Sequence, residues 1–255
     1  MERKRDAHPA VTVDGQPVTV PDMEAALAAI AWHVQHARGF AVFTLNLDHL
    51  VKRRADARFA AAYAEAEVVT ADGWPVVWLA RRKGARLMRR TTGADMIGPV
   101  CRLCAEHGWP VAMIGGTEAA LHSAAARLQS ATPGLRVALL HAPPFGFDPG
   151  DERAVARLAG MVRDSGARIV FLALGAPKQE LLAARLKEAG VAAGLLCIGA
   201  GLDFIAGHQK RAPELAQRLG VEWLWRLLHQ PRRLLARYVA GGALFMRLIF
   251  QEGQR

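Results

Sequence analysis

Apolar and polar positions along this chain follow two alternating rhythms. Short, nearly continuous apolar runs occur at Phe40–Leu45, Val68–Thr70, Pro110–Ile114, Arg136–Leu140, Arg168–Leu174 and Leu195–Ile198. Between them, at Leu50–Ala66, Pro75–Arg82, Ala94–His107, Glu118–Ser130, Asp151–Ser165 and Lys178–Ala189, apolar residues recur at helical spacing. Apolar strands separated by helices predict an α/β fold, a mostly parallel sheet with helices on both faces. Ahead of it, VTVDGQPVTV alternates about Asp14-Gly15 and predicts an N-terminal β-hairpin. Near Gly207 the strands stop and basic helical sequence begins. The pattern thus divides the chain into a disordered N-terminus (1–10), an α/β body (11–206) and a basic helical appendage (207–255).

Charge sharpens this division. The chain of 255 residues carries a formal charge of +10, which implies polyanionic company: nucleic acid, anionic lipid or a phosphorylated substrate. No zinc-finger spacing or aromatic RNA-binding motif supports nucleic acid. In the appendage, Lys210, Arg211, Arg218, Arg226, Arg232, Arg233, Arg237, Arg247 and Arg255 outnumber Glu214, Glu222 and Glu252. They are interleaved with Trp223, Trp225, Tyr238, Phe245 and Phe250. Cations find phosphates and aromatic rings settle at the headgroup level, so the tail points to a membrane-bound, phosphate-bearing partner. The opening MERKRDAHPA has no apolar core and is not read as a secretory signal. No apolar run approaches the roughly 18 residues that span a bilayer. Three cysteines are too few for a disulfide framework and suit the cytosol. Cys101 and Cys104 form a CxxC, but three positions apart is also one helix face, and two small buried apolar residues are the preferred reading.

In open parallel sheets, ligands bind beyond the carboxyl ends of the strands, so the residues following each strand are the candidates. Asp72, before Gly73, is either a turn-former or a carboxylate placed to accept a proton from a substrate hydroxyl. Thr44 and Asn46 are either strand-end and capping residues or neutral partners for sugar hydroxyls; His49 is expected on a helix surface. Arg89 and Arg90 precede TTGAD as a solvated loop or as a fork for diphosphate. Gly115-Gly116 allows a tight turn or an approach of backbone amides to an anion. Pro177-Lys178-Gln179-Glu180 opens a helix with Glu180 as a first-turn acid, while Lys178 and Gln179 face the ligand crevice. Asp203, after a glycine turn, is placed to hold ribose hydroxyls; no GxGxxG accompanies it.

Taken in order, TLNLDHL (44–50), TADGW (70–74), RRTTGAD (89–95), IGG (114–116), GAPKQE (175–180), GAGLDFIAG (199–207), KRAPE (210–214), EWLWRL (222–227) and QPRRLLARY (230–238) resemble the WecG/TagA/CpsF glycosyltransferases, glycosyltransferase family 26. The resemblance implies a Rossmann-like catalytic domain and an inverting, metal-independent transfer. The sugar would pass from a UDP-sugar to a polyprenyl-diphosphate-linked saccharide at the inner face of the cytoplasmic membrane, in exopolysaccharide or other envelope glycan synthesis. It implies Asp72 as general base, with Thr44, Asn46 and Gln179 lining the sugar pocket. Arg90, Gly115 and Gly116 would meet diphosphate, Asp203 the ribose and Phe147 the uracil. The appendage would complete the site and dock on the membrane, with Arg226, Arg233 and Arg237 on diphosphate and Trp223, Trp225 and Val239–Phe250 on lipid. No cofactor or metal is expected, and no Asp-x-Asp occurs in the chain.

Two other classes remain open from the residues. One is an NAD-dependent nucleotide-sugar epimerase or dehydrogenase, disfavoured by the missing GxGxxG and Tyr-x-x-x-Lys. The other is an anionic-membrane or nucleic-acid binding module, favoured by charge alone. The sequence does not distinguish N-acetylmannosamine, its uronic acid and glucose as the transferred sugar.

Overall fold

The computed structural model describes residues 11–36, 38–208, 225, 227 and 231–252, with the side chains of 231–233 and 252 left aside. The segment 1–10, expected to be disordered, lies outside the described residues. The chain opens with the hairpin β1 (Val11–Val13) and β2 (Gln16–Val18), paired antiparallel. Asp14 and Gly15 turn it at φ of 50° and 74°, both positive, as a two-residue hairpin loop matched to strand twist requires. Then follow α1 (Met23–Gln35), β3 (Phe40–Leu45), α2 (Leu47–Ala55), α3 (Ala57–Ala64), β4 (Val68–Ala71), α4 (Trp74–Arg82), α5 (Gly93–His107), β5 (Val111–Gly115) and α6 (Glu118–Ala131). The body ends with β6 (Val137–His141), α7 (Glu152–Ser165), β7 (Ile169–Ala173), α8 (Lys178–Glu188), β8 (Gly194–Cys197) and α9 (Gly201–Ala206). A long helix, α10 (Pro231–Glu252), closes the described chain.

Six strands form one parallel sheet in the order β4-β3-β8-β7-β5-β6. The period of two along each strand feeds two cores. On β3, Ala41, Phe43 and Leu45 join the hairpin, α3, α4, α7 and α8 on one face, while Phe40 and Val42 join α1, α5, α6 and α9 on the other. The chain leaves the four central strands alternately to these faces: β3 to α2, β8 to α9, β7 to α8 and β5 to α6. Loops that part in this way open a crevice at the carboxyl edge of the sheet.

Three segments differ from the sequence expectation. Met23–Gln35, left unassigned by the apolar pattern, is α1, capped by Asp22, whose side chain accepts from the Ala25 amide. The single helix expected over Leu50–Ala66 is two helices divided at Asp56. That residue adopts φ −130° and ψ 110°, and its carboxylate caps α3 at Arg58 and Phe59, a local bond that competes with helix continuation. The absence of a membrane-length segment is also corrected: Leu234–Gln251 within α10 is an 18-residue stretch of mean hydropathy 1.2, long and apolar enough to cross a membrane by length and composition alone. Arg237 and Arg247 interrupt its apolar run in the sequence without interrupting the helix.

Candidate active site

At the β3 end, Thr44 is buried and Asn46 caps α2, its Oδ1 accepting from the His49 amide at 3.0 Å. The cap consumes one face of Asn46; such a bond stabilises a helix by about 1 kcal/mol. His49, expected on the helix surface, is instead buried, with Nδ1 2.6 Å from the Tyr63 hydroxyl, which also lies 3.3 Å from the Thr44 carbonyl. Burial depresses the His49 pKa to about 3, so the ring is neutral. Thr44 and Asn46 therefore rest on a packed, hydrogen-bonded floor that local spacing did not reveal.

Asp72 follows β4 on the neighbouring strand. Its amide donates to the Leu45 carbonyl at 2.8 Å, tying the two loops together. Beside it runs the segment carrying Arg90: the Thr91 amide donates to Ala71 at 2.8 Å, and Thr70 Oγ1 donates to the Thr91 carbonyl at 2.8 Å. Arg90 reaches Asp95 in the first turn of α5, 3.5 Å away. Thr44, Asn46, Asp72 and Arg90 thus gather at one end of the sheet edge. Behind Asp72, α4 starts at Trp74 with Pro75 in its first turn.

The second cluster lies at β5, β7 and β8. Gly115 adopts φ +123°, and a Cβ there would stand 2.4 Å from the Ala173 carbonyl oxygen; only glycine fits so close to β7. A Cβ on Gly116 would lie 3.6 Å from Asp203 Oδ1, so the carboxylate of α9 overlooks the glycine turn. Gln179, expected to line the sugar pocket, is 3% exposed, and both ends of its amide are engaged inside the protein. Its Oε1 accepts the Gly199 amide at 3.0 Å and its Nε2 donates to Glu180 Oε1 at 2.7 Å. Glu180 is the first-turn acid of α8, as expected, but it is 0% exposed, and burial raises its pKa to about 7.

Further along the edge, the β6 loop carries two phenylalanines. Phe147 is half-buried against the core, and its carbonyl accepts from Lys178 Nζ at 3.0 Å; Phe145 projects fully into solvent. Sequence reasoning singled out the first and passed over the second. Cys101 and Cys104 are buried in α5 with thiols pushed up to about 12, away from this edge, as packing residues.

The appendage reaches the first cluster. α10 packs on α2 and α4: Leu234, Leu244 and Leu248 are buried, and a Cβ on Gly241 would touch Leu47 at 3.5 Å. Phe245 packs edge-on against both Trp74 and Trp78, at ring distances of 5.7 and 5.5 Å. Arg237 Nε lies 3.0 Å from Asp48 Oδ1. On the opposite face Leu235, Val239, Met246 and Phe250 are between 50% and 67% exposed, spaced so that they form one apolar stripe. Arg226 and Trp223 lie outside the described residues, as does the side chain of Arg233.

Along the carboxyl edge the candidates stand in the order Asp72 and Arg90 (β4), Thr44 and Asn46 (β3), Gly199 (β8), Gln179 (β7), Gly115 and Gly116 (β5), and Phe147 (β6). Four strand spacings separate β4 from β5, about 19 Å. The candidates extend along that edge, with a carboxylate at one end and glycines at the other.

The sequence model of the Glycosyl transferase WecG/TagA/CpsF family matches residues 11–255. The chain belongs to this family, and with it to the glycosyltransferases of cell-envelope polysaccharide synthesis. The dehydrogenase and simple binding-module alternatives fall with that membership.

Proposed function

We propose, from that membership, that the protein transfers a hexose from a UDP-sugar to a polyprenyl-diphosphate-linked saccharide at the inner face of the cytoplasmic membrane, in exopolysaccharide or related envelope synthesis. The observation that carries the reading is the order of groups along the sheet edge. A UDP-sugar laid along it meets an aromatic loop at β6, a carboxylate and glycine amides at β5, and neutral sugar partners at β3. Phe147 takes the uracil, Asp203 the ribose hydroxyls, and Gly115 and Gly116 the diphosphate. Thr44 and Asn46 take the sugar. The acceptor hydroxyl enters beside Asp72 at the β4 end.

Asp72 removes the acceptor proton as the hydroxyl oxygen attacks C1 from the face opposite the leaving UDP. The C1–O bond breaks, the electron pair leaves with the diphosphate, and the anomeric configuration inverts. Arg90, the glycine amides and the appendage arginines 226, 233 and 237 compensate the departing charge, the task a metal performs in other transferases. Gln179 serves this site through its hold on Gly199. The exposed stripe of α10 supports docking of the appendage on the bilayer, where the lipid-linked acceptor would reside.

The test is a transfer assay with a panel of UDP-sugars on prenyl-diphosphate-linked GlcNAc and glucose, with and without chelator. One donor and acceptor pair should turn over, insensitive to chelator, with inversion at C1. Retention of configuration, or transfer abolished by chelator and restored by a divalent ion, contradicts the mechanism. A chain that turns over no UDP-sugar contradicts the donor assignment.

A further inference from the structure

Glu180 is fully buried one residue from Gln179, and its Oε2 has no hydrogen-bond partner among the described residues. A buried carboxyl with an orphaned oxygen costs stability, so its presence asks what the other oxygen does. Oε1 accepts from Gln179 Nε2 at 2.7 Å. The amide orientation is fixed by chemistry: the Gly199 N–H can only donate, so the Gln179 atom 3.0 Å from it is Oε1, and Nε2 is left facing Glu180. Gly199 starts the turn into α9, and α9 carries Asp203 to its place above Gly116.

We propose that Glu180 is a positioning residue of the nucleotide-sugar site: by accepting from Gln179 it holds the amide that anchors Gly199, and so fixes the turn presenting Asp203 to the donor. This rests on the reading of that turn as part of the donor site. Without Glu180, Nε2 becomes a buried donor lacking an acceptor, and the side chain gains by turning away and releasing Gly199. The neutral and the ionised carboxyl both keep Oε1 as an acceptor, so the clamp depends on an acceptor at this position rather than on charge. An isosteric amide should therefore replace it, and an apolar side chain should not.

The experiment compares wild type, Glu180→Gln and Glu180→Leu by hydrogen–deuterium exchange of the segment 195–207 and by calorimetric titration with UDP. Leu should speed exchange at Gly199 and weaken UDP about tenfold, the equivalent of one buried hydrogen bond, while Gln restores both. Unchanged exchange with Leu, or faster exchange with unchanged UDP affinity, overturns the proposal. Should the Leu variant fail to fold, Glu180→Met, which keeps the length of the side chain without the oxygen acceptor, takes its place with the same expected and overturning results, and a tenfold loss of UDP affinity with Gln means that the charge itself acts and the clamp is wrong. If wild type does not bind UDP, the donor-site reading fails and this role with it. The exchange comparison then separately reports whether Glu180 holds the turn.

Discussion

Arg237 of the C-terminal helix lies 3.0 Å from Asp48, two residues beyond the sugar-pocket candidate Asn46. The same carboxylate pairs with Lys52 on its own helix, so Asp48 holds two cations at the rim of the crevice. Arg237 is about one-third exposed, and an ion pair in that setting stabilises a fold by less than about 1 kcal/mol. The pair sets a guanidinium beside the candidate site. Arg237→Ala should shift the melting temperature by only a degree or two and lower kcat/KM for the lipid-linked acceptor by about tenfold or more. A variant that keeps wild-type kcat/KM confines Arg237 to a structural role.

Asp72 is joined to the β3 loop through its amide and the Leu45 carbonyl, a backbone bond that survives side-chain replacement. Asp72→Asn should therefore retain the fold and UDP binding while lowering kcat by ~10²–10⁴, the range for losing a general base. Calorimetry for UDP and a single-turnover transfer assay separate the two effects. Loss of UDP binding in parallel with turnover contradicts the assignment.

Phe245 connects the appendage to the same loop, since Trp74 stands two residues after Asp72. Phe245→Ala removes a half-buried ring and two edge contacts, at a cost of about 2 kcal/mol. The expected result is faster proteolysis within α10 and a fall in kcat, with the donor KM little changed. Equal protease resistance in the two proteins means that the aromatic contact does not anchor the helix.

How far the sequence reveals this arrangement depends on the range of the interaction. Asp14-Gly15, the strand runs and the strand-end positions of Asp72, Gly115 and Asp203 are local or follow from α/β topology, and each is placed by pattern alone. The break at Asp56 turns on one side chain capping its own helix within an otherwise helical rhythm, which spacing does not register. The burial of His49 and the internal engagement of Gln179 have no local trace because their partners arrive from elsewhere: Tyr63 lies 14 positions from His49, and Gly199 lies 20 from Gln179. The pairing of Arg237 with Asp48 spans most of the chain and has no local trace. The motifs mark the candidate positions, but not which of their polar groups hold the scaffold.

The exposed stripe of α10 predicts a membrane contact. Met246→Glu and Val239→Glu place charge on the outer face and leave the buried leucines untouched. Sedimentation with vesicles of anionic lipid should fall by about tenfold or more, because a carboxylate is repelled by the anionic surface and opposes apolar insertion. Donor binding in solution should be unchanged. Undiminished vesicle binding assigns docking to residues outside this stripe.

Glu180 and His49 make opposite contributions to stability as pH changes. His49 has its pKa lowered from 6.5 to about 3 by burial. The unfolded chain therefore binds the extra proton between those values, and this stability is lost as pH falls from 6.5 towards 3. Glu180 has its pKa raised from 4.5 to about 7 by burial. Here the folded chain binds the extra proton, so stability is full below 4.5 and is lost as pH rises to about 7. Asp48 and Lys52 from α2, Tyr63 from α3 and Cys197 from β8 are among the ionisable groups that interact with it. Glu180→Gln mimics the neutral acid at every pH and removes the second slope alone. Relative to wild type the variant should match at pH 4 and gain stability on going to pH 8, by an amount bounded on the order of 3 kcal/mol. Denaturant unfolding at the two pH values measures it. A difference between the proteins that is independent of pH means that Glu180 is ionised throughout this range in the folded state.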